Sequence, residues 1–210
     1  MSDALGGHPT VVLATRNAHK VDEVARILGA AGLDVALVGV DAFPDVPEVA
    51  ETGRTFQENA LLKARAVAAA TGHPAVADDS GLCVDALNGM PGLLSARWSG
   101  RHGDDAANLD LLLAQVADVP DERRTAAFVC AAAIALPDGR SDVVAGRLDG
   151  SLLRARRGTN GFGYDPVFVP TGGQRTTAEL SAAEKDAISH RGRAFRGLVP
   201  VVRRLLAPPD

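Results

Sequence analysis

From Arg124 to Leu136 the chain is a long, largely apolar run carrying Phe128, Val129 and Ile134. Pro137-Asp138-Gly139 turns it into a second segment, Ser141 to Leu148, which alternates like a strand around Val143 and Val144. That pattern predicts a long β-hairpin, which has to be combined with strand–helix units. Such units come earlier. Thr10 to Ala14 (TVVLA) suits a buried strand, and Val21, Val24, Ala25 and Leu28 then fall at i, i+3, i+4 and i+7, a helical stripe ending near Gly29 to Gly32. A second strand is predicted from Val35 to Val40. A helix is predicted from Phe56 to Ala70, opened by the Thr-x-x-Glu box of Thr55 and Glu58 and presenting a small-residue face of Ala60, Ala64, Val67 and Ala68. Asp104 or Asp105 can cap a helix carrying Leu109, Leu112, Leu113 and Val116, and Pro166 to Val169 reads as a last strand. An antiparallel pair added to such units implies a mixed sheet in an α/β protein.

The bulk properties narrow the function. With 210 residues and 46% hydrophobic content, the chain suits one domain over 1–210, either a single core or two lobes sharing a sheet. Twenty-two basic against 26 acidic residues give a net charge of −4, which argues against non-specific nucleic-acid binding. Cys83 and Cys130 lack metal-site or redox spacing and read as buried free thiols. The start, MSDALGGHPT, has no basic n-region or apolar h-region, and no apolar run approaches the ~20 residues of a membrane span, so a cytoplasmic protein without membrane partners is expected.

Chemistry concentrates in a few places. Ala75-Val76-Ala77 ends in Asp78-Asp79-Ser80-Gly81, as a buried strand does when it delivers acids to a sheet edge. Adjacent strand residues face opposite ways, so Asp78 and Asp79 are expected to do different jobs. Two readings stand: a hard-metal ligand or general base, or an Asx turn closing the strand. Thr15-Arg16-Asn17-Ala18-His19-Lys20 is a strand-to-helix turn that either cradles phosphate or simply caps the helix. Glu51 lies on an acidic, proline-bearing loop, and Lys63 lies one turn beyond Asn59 on the same side of its helix. In Gly158-Thr159-Asn160-Gly161-Phe162-Gly163-Tyr164-Asp165, glycines bracket two aromatics. There the backbone can approach a flat ligand while Phe162 or Tyr164 covers a ring and Asp165 reads its edge; the alternative is a tight loop plugging the core. Ser181 and Glu184 form another capping box. Lys185 in that helix's first turn suggests an anionic partner, because the helix dipole disfavours cations there. His190 and Arg191 interrupt the helical pattern, placed to stack on a base or to meet a helix C-terminus. Trp98 reads as a packing anchor.

Five of these stretches, ATRNAHK (14–20), ETGRTFQENALLKA (51–64), ADDSGLCVDALNGMPGLLSARWSG (77–100), GTNGFGYDP (158–166) and TAELSAAEKDAISHRG (177–192), resemble in order the inosine/xanthosine triphosphate pyrophosphatase family. The resemblance implies a long mixed β-sheet flanked by helices, two lobes around a central nucleotide cleft, and a homodimer. The implied reaction is hydrolysis of non-standard purine nucleoside triphosphates (ITP, dITP, XTP) to the monophosphate and pyrophosphate. The implied triphosphate ligands are the Thr15 to Lys20 turn, with Thr15, Asn17 and Lys20 foremost, together with Lys63 and Lys185. Glu51 and Asp79 would carry Mg²⁺, with Mn²⁺ as the alternative. Asp79 would also be the base and Ser80 a substrate contact, while Phe162, Gly163, Tyr164, Asp165, His190 and Arg191 would surround the purine. Many relatives have glycine where Arg16 stands, so this turn either meets phosphate differently or points Arg16 to solvent. Two rivals are a non-catalytic purine-nucleotide sensor, which would not need paired carboxylates, and a related pyrophosphatase for modified nucleotides.

Overall fold

The computed structural model describes residues 8–16 and 18–207, and for Ala18 and His19 the backbone only. Six strands, β1 (Thr10–Leu13), β2 (Ala36–Gly39), β3 (Ala75–Val84), β4 (Thr125–Ala135), β5 (Ser141–Leu152) and β6 (Phe168–Pro170), form one sheet in the order β2-β1-β3-β4-β5-β6. The helices are α1 (Ala18–Ala30), α2 (Phe56–Thr71), α3 (Asp105–Gln115), α4 (Ala182–Ile188) and α5 (His190–Leu206). Strand β1 runs parallel to β2, with Val12 opposite Val38, and parallel to β3, with Val12 opposite Ala75. Parallel neighbours need long crossovers, which α1 and α2 supply. Strand β6 is antiparallel to β5, with Ser151 opposite Val169, so the sheet is mixed as the sequence predicts. The expected hairpin turn is closed by Gly139 N–H on Leu136 O (3.0 Å) and Leu136 N–H on Arg140 O (2.8 Å).

The chain divides into two compact units. The first comprises the described residues of Met1–Asp79, Ala131–Ala145 and Ala194–Asp210. On one sheet face its core is made largely of methyl groups: Ala75 and Ala77 of β3 and Ala131, Ala133 and Ala135 of β4 recur at the strand period of two. Ala60, Ala64, Val67 and Ala68 of α2 recur at i, i+4, i+7 and i+8. Each methyl buries only about 0.8 kcal/mol of hydrophobic free energy, so cohesion here depends on close fit more than on bulk. Thr55 caps α2 by accepting from Glu58 N–H (3.1 Å). The predicted capping box is only half formed, because the Glu58 carboxylate takes the Arg54 N–H (2.6 Å).

The second unit comprises Ser80–Cys130 and Gly146–Arg193. Its core is bulkier, with Leu82, Leu109, Leu112, Phe128, Leu148 and Phe168, and the rings of Phe128 and Phe168 are 4.6 Å apart and tilted. Arg124 is 1% exposed and donates to the carbonyls of Leu152 (2.9 Å), Leu153 (2.9 Å) and Val116, a charged tie between chain segments. Trp98 packs against this core and donates to Gln115 (2.7 Å), the anchoring role expected of it.

Three local expectations change. Strand β3 does not stop at the acids but continues to Val84, so Asp78 and Asp79 lie in mid-strand. His190 and Arg191 are not an interruption. They open α5, with only the extended Ser189 separating them from α4. Cys130 is a buried free thiol, but Cys83 is only half-buried.

Continuation of β3 past the acids requires Gly81. A Cβ there would fall 2.3 Å from the Gly92 carbonyl oxygen and 2.6 Å from Ser95 Oγ. Ser95 Oγ in turn accepts from Leu82 N–H (2.9 Å) and donates to Gly92 O (2.6 Å). Gly81→Ala is therefore expected to cost about 1–3 kcal/mol by overpacking, read as a lower urea midpoint at unchanged m-value.

Candidate active site

In the first unit, the alternation of β3 sends its two acids to different partners. Asp78, 2% exposed, meets Lys20 in the first turn of α1 (Nζ to Oδ2 3.2 Å). Asp79, 6% exposed, faces α2, where Asn59 Nδ2 donates to its Oδ2 (3.0 Å) and Lys63 Nζ lies 3.8 Å from its Oδ1. Asn59 and Lys63 are four residues apart and so share a helix face. Lys63 also donates to Glu51 Oε1 (2.6 Å), and the Asn59 carbonyl accepts from Gly53 N–H (2.7 Å), which holds the loop bearing Glu51 against α2.

Burial opposes the Lys63 ammonium, but Asp79, Asp78 and Glu51 outweigh it and raise its pKa. Burial raises the pKa of Asp79; Lys63 pulls it back, Glu51 adds to the rise, and the Asn59 hydrogen bond lowers it. One ammonium thus serves two carboxylates, leaving a formal excess of one negative charge. Among the described residues no three His, Cys, Asp or Glu side chains cluster as a metal site. Two hard carboxylates with surplus charge suit a cation that takes its remaining ligands from phosphate and water, the usual habit of Mg²⁺.

Asn17 and the side chains of Ala18 and His19 lie outside the described residues. Thr15 is half-buried, its N–H on Leu13 O (2.9 Å). Arg16 is exposed, but its Nη2 donates to Val46 O (2.7 Å) and its Nε lies 3.5 Å from Asp41 Oδ1, so it ties the turn to the loop after β2.

The second unit gathers the remaining candidates around the glycine loop. Asp165, 3% exposed, accepts from Phe162 N–H (2.9 Å) and Lys185 Nζ (2.5 Å) at Oδ2 and from Thr177 Oγ1 (2.8 Å) at Oδ1. Lys185 therefore has the anionic partner its helix position implied. Gly161, at φ +74°, lets this carboxylate in: a Cβ there would fall 2.1 Å from Asp165 Oδ2. Phe162 carries two cations, Lys185 Nζ 4.9 Å and the Arg191 guanidinium 5.6 Å from its ring centroid. Arg191 also donates to Ser80 Oγ (2.8 Å). Gly163 N–H donates to Asp105 Oδ2 (2.8 Å). Tyr164 is 4% exposed with its hydroxyl on Ser95 O (2.9 Å), and burial raises its pKa, so its ring serves the core. His190 stacks on Phe128, centroids 4.8 Å apart and 11° between planes.

Asn59, Thr177 and Ser95 join these contacts, although no sequence motif singles them out. For Asn59 the available signal is its i+4 spacing from Lys63. Nothing local distinguishes Thr177 or Ser95, whose partners Asp165 and Tyr164 lie 12 and 69 residues away.

The chain belongs to the Ham1 family, whose model matches residues 11–201. A Streptomyces coelicolor protein named dITP/XTP pyrophosphatase is 67% identical over 196 residues, 93% of this chain and 98% of that protein. The crystal structure of a nucleoside-triphosphatase / dITP/XTP pyrophosphatase from Mycobacterium abscessus is 58% identical and aligns with TM-score 0.75 over 92% of this chain and 100% of that one. A HAM1 protein from Coxiella burnetii, 40% identical, aligns with TM-score 0.84 over 93% and 99%.

The raised Asp79 pKa has a consequence for stability. A carboxyl whose folded pKa exceeds its unfolded value binds its proton more tightly when folded, so stability falls as pH rises from the ordinary carboxylate range through the folded pKa. Asp79→Asn removes that penalty and keeps an acceptor for Asn59. It is expected to raise Tm at pH 7, with the gain shrinking as pH falls to the ordinary carboxylate range, as thermal melts across pH would read.

Proposed function

We propose that the protein hydrolyses non-standard purine nucleoside triphosphates, ITP, dITP and XTP, to the monophosphate and pyrophosphate, and so clears them from the pool used for DNA and RNA synthesis. The observation that carries this is the convergence of Glu51 and Asp79 on Lys63, a charge arrangement that calls for a cation and a polyphosphate. The names of close relatives, dITP/XTP pyrophosphatase at 67% and 58% identity, support the same reaction.

Glu51 and Asp79 would hold Mg²⁺, which when bound neutralises phosphoryl charge and polarises the bond to be cleaved. Lys20, Lys63 and the Thr15 turn supply fixed positive charge and donors to phosphate oxygens, so little reorganisation is needed as charge builds in the transition state. Asp79, kept basic by burial and aimed by Asn59, takes the proton of the attacking water. Lys185, bound to Asp165 and placed over Phe162, belongs by its contacts with the base-binding group. Its ammonium and the Arg191 guanidinium offer donors that a 6-keto purine satisfies and adenine, with a 6-amino donor, does not. Phe162 offers the ring surface, and Ser80 orients Arg191.

The wider resemblance supports a homodimer in the cytoplasm. Met90, Leu94 and Leu111, large apolar side chains 36–37% exposed, are apolar surface for such a contact. No helix among the described residues is long and apolar enough to cross a membrane.

A panel of ITP, dITP, XTP, GTP, ATP and modified pyrimidine triphosphates, with pyrophosphate detection, tests the reading. Turnover is expected for the first three and is expected to vanish with EDTA and return with Mg²⁺; preference for a pyrimidine would overturn it. Asp79→Asn is expected to lower kcat about 10²–10⁴-fold while ITP still binds, the loss expected for a general base. A sensor would bind without turnover in the parent.

A further inference from the structure

The Asp165 carboxylate is the fixed point of the second unit's loop, and each of its oxygens has a distinct duty. Oδ2 holds the Phe162 backbone and the Lys185 ammonium, whereas on Oδ1 the donor is Thr177. We propose that Thr177 is a positioning residue for base recognition: its hydroxyl fixes the rotation of the Asp165 carboxylate, and through it the placement of Lys185 and Phe162. This rests on the reading above, in which this loop receives the purine.

Thr177 is 1% exposed and Asp165 is 3% exposed, so water does not readily replace a lost donor. The same hydroxyl lies 3.2 Å from the Asp165 carbonyl oxygen, which places it against both side chain and backbone of the one residue. The terminal torsion of an aspartate is broad, with no steep staggered wells to hold it, so its orientation is set by its partners. Without the hydroxyl, Oδ1 is a buried acceptor left unmade, and the carboxylate turns to share the donors on Oδ2. That turn displaces the Lys185 ammonium and the Phe162 N–H together.

Thr177 is a rigid donor because its own segment is locked. Thr176 and Glu179 close a capping box around the short turn Thr177–Glu179. Thr176 Oγ1 donates to Arg157 O (2.8 Å) on the near side of the glycine loop, and Asn160 donates to Ala178 O from its backbone (3.0 Å) and to Leu180 O from its side chain (2.9 Å). Loop and turn thus hold each other at several points, and the β-branched Thr177 adds a stiff χ1. Serine can supply the same donor, whereas valine keeps the shape and removes it.

Thr177→Val and Thr177→Ser in the full chain test this, with ITP as substrate and IMP and inorganic pyrophosphate as separate inhibitors. IMP reports on the base group, and pyrophosphate on the phosphate group. Thr177→Val is expected to raise KM for ITP and the inhibition constant of IMP by a common factor of about 10 or more, the usual loss for a hydrogen bond to a charged group. The kcat and the pyrophosphate constant are expected to stay near parental, and Thr177→Ser to restore both base-dependent constants. If the valine variant is insoluble, Thr177→Ala carries the same expectation. An unchanged IMP constant in a parent that binds IMP overturns this proposal alone, as does parallel weakening of IMP, pyrophosphate and kcat. A parent that neither turns over ITP nor binds IMP overturns the purine reading, and this proposal with it.

Discussion

Two carboxylates converging beside one helix repel each other unless a cation lies between them, and in the first unit that cation is Lys63. Its ammonium bonds Glu51 at 2.6 Å and lies 3.8 Å from Asp79, so a loop residue and a mid-strand residue share one charge. Burial still raises the pKa of Asp79, which means that compensation is incomplete. The residual negative charge is a cost to folding, and titratable groups perturbed in this way are a mark of candidate functional sites. Asn59 makes the arrangement directional, because one amide holds Asp79 with its nitrogen and Gly53 with its oxygen.

The second unit uses the same device with the signs rearranged. Here one buried carboxylate, Asp165, is matched by one ammonium, Lys185, and the surplus hydrogen-bonding capacity is used on a backbone N–H and a hydroxyl. The result is a closed, neutral arrangement in which direction matters more than charge. Under the proposed function the difference suits the two tasks: phosphoryl transfer needs field strength, whereas telling one purine from another needs donors at fixed positions. Glycine at 161 makes the second arrangement possible by leaving room for the carboxylate.

The fold was legible where hydrophobic period and turn chemistry agreed. The β4–β5 hairpin follows from an apolar run, Pro-Asp-Gly and an alternating segment; the start of α2 follows from Thr55. The acids misled about β3, since two aspartates and a glycine read as a strand end. They are tolerated in mid-strand because Lys20, Asn59 and Lys63 meet them from helices remote in sequence, and because Ser95 accepts the Leu82 N–H. That Glu51, Asp79 and Lys63 meet one another is implied by the resemblance in motif order and by no local spacing. That Arg16 would grip the Val46 carbonyl, or that Tyr164 would turn inward to Ser95, depends on contacts across 30 and 69 residues that no local pattern encodes.

The methyl-lined seam between α2 and the sheet bears on how this chemistry tolerates change. Alanines have no rotamers to rearrange, so where they face one another the seam absorbs an added atom chiefly by moving the helix. Because Asn59 and Lys63 ride on that helix, such a displacement would also shift the groups that hold Asp79 and Glu51. An added methyl group at Ala64 or Ala133 is therefore felt beyond the core, although neither residue touches Asp79 or Glu51.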